Sequence, residues 1–478
     1  MTIITTACGR IEGTSEGSLA IFRGIPYAAP PVDALRWRPP KPLPSWRGVR
    51  AATKFGAACL QKAGRPGGAH GLPTPQSEDC LFLNVWAPAN AMAKEPLPVM
   101  VWVHGGAFRA GAGSLPMYHG HELARRGVIV VTVNYRLGVF GTFGHPALKT
   151  NGEPDGNYGL LDVIAALRWV RENITAFGGD PDAVTLFGES AGGVTVGYLM
   201  ASPLATGLFQ RAIIQSGGLS LPEYSRDQAE AAAEEVAGSL GAMTAQELRA
   251  LSAEALRNAE FAPADTMPFI DGVIVPEKAR GAFEGGRIQR LPLLIGSNDA
   301  EAGFFGARYW QSLPAEVGVE SWELLRACCF GFGSKDEDAR AEQVASELFA
   351  GVNTRALARG ASTYAPVYAY RFSWVPLSER AAQRGAIHTA EIPYVFGHVA
   401  ADMQMDARSR LLSNSLADRW VAFAKTGYPG GPGPDWPRFE EKTGELLLLI
   451  GPDTVTVGRN PASELLDTID SLTLPTRL

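Results

Sequence analysis

Apolar residues in this chain fall into two textures. The first is the short unbroken run, as in Pro98-Val99-Met100-Val101-Trp102-Val103, with others at residues 128–133, 184–187, 292–296 and 367–372. A run of that length without polar alternation predicts a strand buried on both faces of a sheet. The second is helical spacing. Leu161, Ile164, Ala165, Leu167, Trp169, Val170 and Ile174 recur at threes and fours, which predicts one buried face of a helix over residues 160–177. Gly178-Gly179-Asp180-Pro181 then brings that helix to a stop. Strand, crossover helix and strand make a βαβ unit, and its repetition predicts a large, mostly parallel sheet flanked by helices.

After Ser216-Gly217-Gly218 the pattern changes. Residues 226–260 and 316–351 are rich in Ala, Glu and Leu at helical spacing, and strand-like runs resume after each. Both therefore read as helical insertions, at about 220–290 and 306–365, in a single α/β domain spanning residues 1–478. No internal repeat or low-complexity segment is present.

Composition narrows the function classes. Hydrophobic residues make up 46% of the chain and charged residues 19%, the profile of a globular protein with a sizeable core. The net charge of −6, from 43 basic and 49 acidic residues, and the lack of any Lys/Arg run argue against nucleic acid or an anionic membrane surface as partner. No segment nears the roughly 20 apolar residues that span a bilayer. The first ten residues lack the basic-then-apolar pattern of a signal peptide, so the cytoplasm is the expected location.

Cysteine usage leaves one question open. Cys59 and Cys80 bracket a loop rich in Gly and Pro, which a disulfide would close for a nominal ~3 kcal/mol; in a reducing cytosol the same pair stays as thiols. Adjacent Cys328 and Cys329 read as helix packing. No Cys/His cluster has metal-site spacing, so no metal and no cofactor is expected.

Gly188-Glu189-Ser190-Ala191-Gly192 has the G-x-S-x-G form, and it lies between the run at 184–187 and a helix-compatible stretch at 193–200. At such a strand-to-helix elbow the serine occupies a strained backbone conformation, and small residues two positions either side avoid clashes. The elbow lifts the hydroxyl to the sheet edge and sets the Ala191 amide at a helix N-terminus. His104-Gly105-Gly106-Ala107-Phe108 follows the run at 98–103; a glycine-rich loop there can turn amides inward around a developing oxyanion.

Phe187-Gly188-Glu189-Ser190-Ala191-Gly192-Gly193 resembles the active-site signature of the type-B carboxylesterase family, which includes bacterial p-nitrobenzyl esterases. Gly24-Ile25-Pro26-Tyr27-Ala28, Glu78-Asp79-Cys80-Leu81-Phe82-Leu83-Asn84-Val85, Asn134-Tyr135-Arg136-Leu137-Gly138 and Asn173-Ile174-Thr175-Ala176-Phe177-Gly178-Gly179-Asp180-Pro181 resemble further family blocks. The likeness runs from about residue 20 to about residue 440. It implies an α/β-hydrolase fold, Ser190 as nucleophile, and an oxyanion hole from the amides of Gly106, Ala107 and Ala191, with Gly105 in support.

In this fold the acid and then the histidine follow the serine along the chain. Of seven histidines only His388 and His398 lie beyond Ser190. The flanks of His388, from Gly385 to Gly397, resemble the family's histidine block, and His398 reads as a packing or surface residue. The family usually carries Asp-Glu-Gly where this chain has Ala300-Glu301-Ala302. Alignment on Gly296, Asn298 and Phe305 implies Glu301 as the acid, with Asp299 as rival. The resemblance also implies that Glu189 organises the site and that Ser216 hydrogen-bonds the catalytic carboxylate.

The expected activity is hydrolysis of soluble short-to-medium-chain or aromatic carboxylic esters through an acyl-enzyme, with a small-molecule ester and water as the only partners. The loop between Cys59 and Cys80 has no Phe, Tyr or Trp, so it offers a quaternary ammonium no aromatic face. Phe108, Phe304, Phe305 and Tyr394 are candidate pocket walls. A carbamate, amide or toxin-ester hydrolase is the alternative, and a catalytically inactive adhesion-type relative a remoter one.

Overall fold

The computed structural model describes residues 1–62, 75–93, 95–150, 152–329 and 336–472. The chain divides into two compact units, Met1–Arg211 with Glu223–Lys278, and Ala212–Pro222 with Ala279–Leu478.

The first unit is built on strands β1 (Thr2–Thr6), β2 (Gly9–Glu16), β3 (Leu19–Pro26), β4 (Phe82–Pro88), β5 (Leu97–Val103), β6 (Ile129–Val133) and β7 (Gly179–Glu189), in the order β1-β2-β3-β4-β6-β5-β7. β5 pairs in parallel with β6 and β7. Those are the unbroken apolar runs of the sequence, and all five residues of β6 are buried, as burial on both faces demands. The edge from β1 to β4, and the join of β4 to β6, is antiparallel. Its outer strands are part-exposed, and so carry no unbroken run to betray them.

Helix α1 (Tyr158–Asn173) starts two residues before the periodic stretch and runs into a 3-10 turn, Ile174–Phe177. Helix α2 (Ala191–Ala201) leaves directly from the end of β7. The helical stretch expected over 226–260 is three helices, α3 (Arg226–Ser239), α4 (Ala245–Ala250) and α5 (Ala253–Asn258). Thr244 and Ser252 each cap a new helix by accepting from a backbone N–H three residues on, which stops one continuous helix from forming.

The second unit carries β8 (Arg211–Gln215), β9 (Leu293–Asn298), β10 (Val367–Phe372), β11 (Leu447–Ile450) and β12 (Val455–Gly458), in that order. All neighbours are parallel except β11 and β12. Its insertion folds as α6 (Ala307–Val317), α7 (Val319–Cys328), α8 (Glu337–Ser346) and α9 (Val352–Ser362). A π-helical turn, Glu347–Gly351, joins the last two. These helices close over a cluster including Leu313, Trp322, Leu325 and Val344, and Cys329 is buried in it.

Cys59 and Cys80 are both buried free thiols, not a bridge. Cys59 Sγ accepts from the Leu137 N–H at 3.2 Å, and the hydrogen bond to Cys59, with burial, pushes the Cys80 thiol well up. Among the described residues no helix is long and apolar enough to cross a membrane.

Candidate active site

The first unit holds Ser190, the candidate nucleophile. Ser190 sits between β7 and α2 at φ 54° and ψ −126°, a conformation that costs a non-glycine residue on the order of 1–3 kcal/mol. The flanking glycines explain how the chain tolerates it. A Cβ on Gly192 would stand 1.9 Å from the Val103 carbonyl oxygen of β5, and one on Gly188 2.6 Å from the Gly192 backbone. Only bare backbone lets strand and helix cross so closely. The first bond of α2 runs from Val194 N to Ser190 O at 2.8 Å. The amides of Ala191, Gly192 and Gly193 therefore precede the helix's own hydrogen-bond ladder, at the end favourable to negative charge.

The glycine-rich loop lies against this elbow. A Cβ on Gly105 would be 2.7 Å from the Glu189 carboxylate and 3.0 Å from the Ser190 Cβ. Gly106, Ala107 and Phe108 follow with φ of 114°, 52° and 58°, and the turn closes through Arg109 N and Ala110 N, both donating to Gly106 O at 3.0 Å. Gly106 and Ala107 are exposed, whereas Glu189 and Phe108 are buried. Three successive positive φ values turn the chain so that consecutive amides can face one side, the concave arrangement that receives an anion.

His104 is a structural residue. It is fully buried, Nδ1 lies 2.8 Å from the Gly105 carbonyl, and its ring stacks on Tyr135 at 4.5 Å. Burial lowers its pKa to about 4, so it stays neutral and pins the loop.

The second unit holds Glu301 and His388, the candidate acid and base. Glu301, with no solvent exposure, opens a 3-10 turn just after β9. Its Oε2 is 2.5 Å from His388 Nδ1, while Oε1 accepts from Ser216 Oγ at 2.5 Å and from Asn298 N at 2.8 Å. Ser216 follows β8 at a φ of 43°. Three donors on one buried carboxylate fix its rotamer.

Asp299, the rival acid, is occupied elsewhere. It accepts from Ala386 N at 2.8 Å and is pushed up to about 6, chiefly by burial, against the pull of Arg371. Asn298 gave no chemical signal in the sequence, yet it ties the site together. Its Nδ2 donates to the Ile387 carbonyl and to Glu391, both at 2.8 Å. Buried Glu391 also accepts from Gln215 at 3.0 Å, and burial and Glu301 both raise its pKa.

The aromatic residues divide. Phe304 and Phe305 lie against the His388 ring at 5.6 and 6.4 Å, and Phe304 is exposed. Phe349, which sequence reasoning missed, lies 5.6 Å from the same ring; the π-turn that displays it breaks the helical period that would have revealed it. Tyr394, on α10 (Ile392–Val395), is buried against Phe372, with its hydroxyl 3.4 Å from Ser409 Oγ. His398 stacks on Phe396. Among the described residues no group of three or more His, Cys, Asp or Glu side chains is placed to hold a metal ion.

Comparison with known proteins agrees with this chemistry. The sequence pattern of the carboxylesterase family matches residues 1–323 and 333–468. The chain is 38% identical to the para-nitrobenzyl esterase of Bacillus subtilis (strain 168) over 491 residues, covering 97% of each protein. It is 38% identical to the fumonisin B1 esterase of Sphingopyxis macrogoltabida over 476 residues, covering 92% of this chain and 85% of that one. A solved PNB esterase structure superposes with a TM-score of 0.83 at 36% identity, covering 98% of this chain and 99% of that one.

Proposed function

The chain belongs to the carboxylesterase family, with the α/β-hydrolase fold and carboxylic ester hydrolysis that go with it, and from that premise we propose a two-step acyl transfer run by Ser190, His388 and Glu301. The observation that carries the assignment is the 2.5 Å contact from Glu301 to His388 Nδ1, on a carboxylate already held by Ser216 and Asn298. A carboxylate beside Nδ1 accepts a hydrogen bond from that nitrogen's N–H, which puts the basic lone pair on Nε2.

His388 Nε2 takes the Ser190 proton as the hydroxyl oxygen attacks the ester carbonyl. The amides of Gly106, Ala107 and Ala191 receive the developing oxyanion. The C–O bond to the alcohol breaks, the alcohol leaves with the proton from His388, and water repeats the sequence to release the acid. Glu189, buried behind the loop, supports the geometry. Phe304, Phe305 and Phe349 around the imidazole suit short-to-medium acyl chains or aryl groups. The cytoplasm, where buried thiols such as Cys59 and Cys80 stay reduced, is the location this reading favours.

Ser190→Ala should lower turnover of 4-nitrophenyl butyrate by at least about ten-thousand-fold while leaving the melting temperature near that of the parent. Retained turnover would remove Ser190 from the mechanism.

A further inference from the structure

A cavity of about 160 Å³ opens in the first unit beside the glycine-rich loop. Its apolar wall includes Leu137, Val139, Phe140, Leu256 and Phe261. Among the described residues its charged lining is one-sided: Lys62, Arg109 and Arg257 contribute to it and no carboxylate does. An apolar pocket with several convergent cations is built for a ligand that is hydrophobic along its length and anionic at one point.

The cations are held in place. Arg109 donates through Nε to Thr266 Oγ1 at 2.8 Å, and the side chain is exposed. Gln61 clamps the neighbouring segment to this turn, accepting from Gly111 N at 2.8 Å and donating to Gly111 O at 3.0 Å. Lys62 Nζ donates to the Ala259 carbonyl at 2.8 Å, a bond that leaves its charge uncancelled. Arg257 donates through Nε to Asn258 Oδ1 at 3.3 Å and pairs with Glu254 at 3.5 Å, on a largely exposed carboxylate. Such a surface pair offsets little of its charge.

The cavity is joined to the proposed oxyanion loop by covalent and hydrogen bonds. Arg109 is two residues beyond Ala107, at most about 7 Å of chain, and its own amide closes the turn on Gly106 O. Gly138, also in the lining, donates to the Phe108 carbonyl at 2.6 Å. We propose that this cavity is a subsite for a carboxylate carried on an apolar arm of the ester, with Arg109 reading the charge and Arg257 and Lys62 reinforcing it. The proposal rests on Ser190 acting as the esterase nucleophile. It adds that the preferred esters are half-esters of dicarboxylic acids or esters of hydroxy acids.

The test compares anionic and neutral partners of one ester. One pair is 4-nitrophenyl hemiadipate and its methyl ester, with the charge on the acyl side. The other is 4-carboxyphenyl butyrate and 4-(methoxycarbonyl)phenyl butyrate, with the charge on the leaving group. The readout is kcat/KM for the anionic member divided by that for the neutral one. Arg109→Ala should lower this ratio fivefold or more in at least one pair, chiefly through KM, and Arg109→Lys should restore part of it. Should Arg109→Ala not fold, Arg257→Ala is judged by the same criterion. A fall of less than fivefold in both pairs overturns the subsite, including the case in which both esters slow together. Failure of the parent enzyme to turn over either member of either pair would instead overturn the esterase reading.

Discussion

Asp299 and Glu301 are two residues apart on one turn, and their surroundings give them different work. Glu301 accepts from Ser216 Oγ and Asn298 N and faces His388 Nδ1. Asp299 is buried with fewer donors, and burial raises its carboxyl to about 6. The folded protein therefore favours its protonated form. That contribution to stability is complete below about pH 4 and is lost as pH rises through about 6. Asp299→Asn, neutral throughout, should be stabilised relative to the parent at pH 7.5 and not at pH 4, by at most about 3 kcal/mol; Arg371 keeps Glu347 as its partner at 2.6 Å. Melting curves at the two pH values check this, and an equal effect at both would show that the carboxyl is not held protonated by burial. An alignment could put either acid at the head of the site. Which one meets His388 depends on donors that arrive from β8 and from the turn itself.

The β7–Ser190–α2 elbow is an element whose geometry is written in five consecutive residues. Gly192 lies so near the Val103 carbonyl that any side chain must move strand or helix. Gly192→Ala should cost roughly 1–3 kcal/mol of stability, as an overpacked site does, and should lower kcat for 4-nitrophenyl butyrate at least about tenfold by displacing Ser190. Denaturant unfolding with steady-state kinetics checks both, and unchanged values would mean that helix and strand are not in contact there. The elbow was legible beforehand because its constraint is local. The helices over 226–260 were legible as helices but not as three, because Thr244 and Ser252 act as caps only once the chain turns before them. The π-turn at Glu347–Gly351 was not legible, since five residues of one widened turn are too few to show a period of their own.

At the scale of the whole molecule, each compact unit encloses a buried arginine with its carboxylate. In the first, Arg136 makes a fork on Asp162 with two 2.8 Å bonds, and the Arg136 amide adds a third at 3.0 Å. In the second, Arg371 pairs with Glu347. Removing one partner strands a charge away from water, a cost of about 3–5 kcal/mol. Asp162→Ala should therefore lower the melting temperature by several degrees or abolish soluble expression, whereas Asp182→Ala, at an exposed 3.5 Å pair with Arg171, should change it little. Differential scanning calorimetry distinguishes the two, and equal effects would show that burial is not what gives the Arg136 pair its weight. Nothing in the spacing of Arg136 and Asp162 distinguishes them from other charged residues. The division into two compact units, with residues 212–222 leaving the first half to join the second, is equally invisible, because strand-like runs resume after each helical stretch.

The sequence by itself determined the parallel strands around Val101 and Val131, the helix over Trp169, the elbow at Ser190 and the glycine-rich loop after His104. Each follows from periodicity or from steric limits acting over a few residues. Only the tertiary structure decided that Glu301 rather than Asp299 receives His388, that Asn298 and Phe349 belong beside it, and that Lys62, Arg109 and Arg257 share one cavity. Those pairings join residues many tens of positions apart. Hydrogen bonds and charges select partners by distance in space, and the backbone path that sets those distances is not encoded in any short stretch of residues.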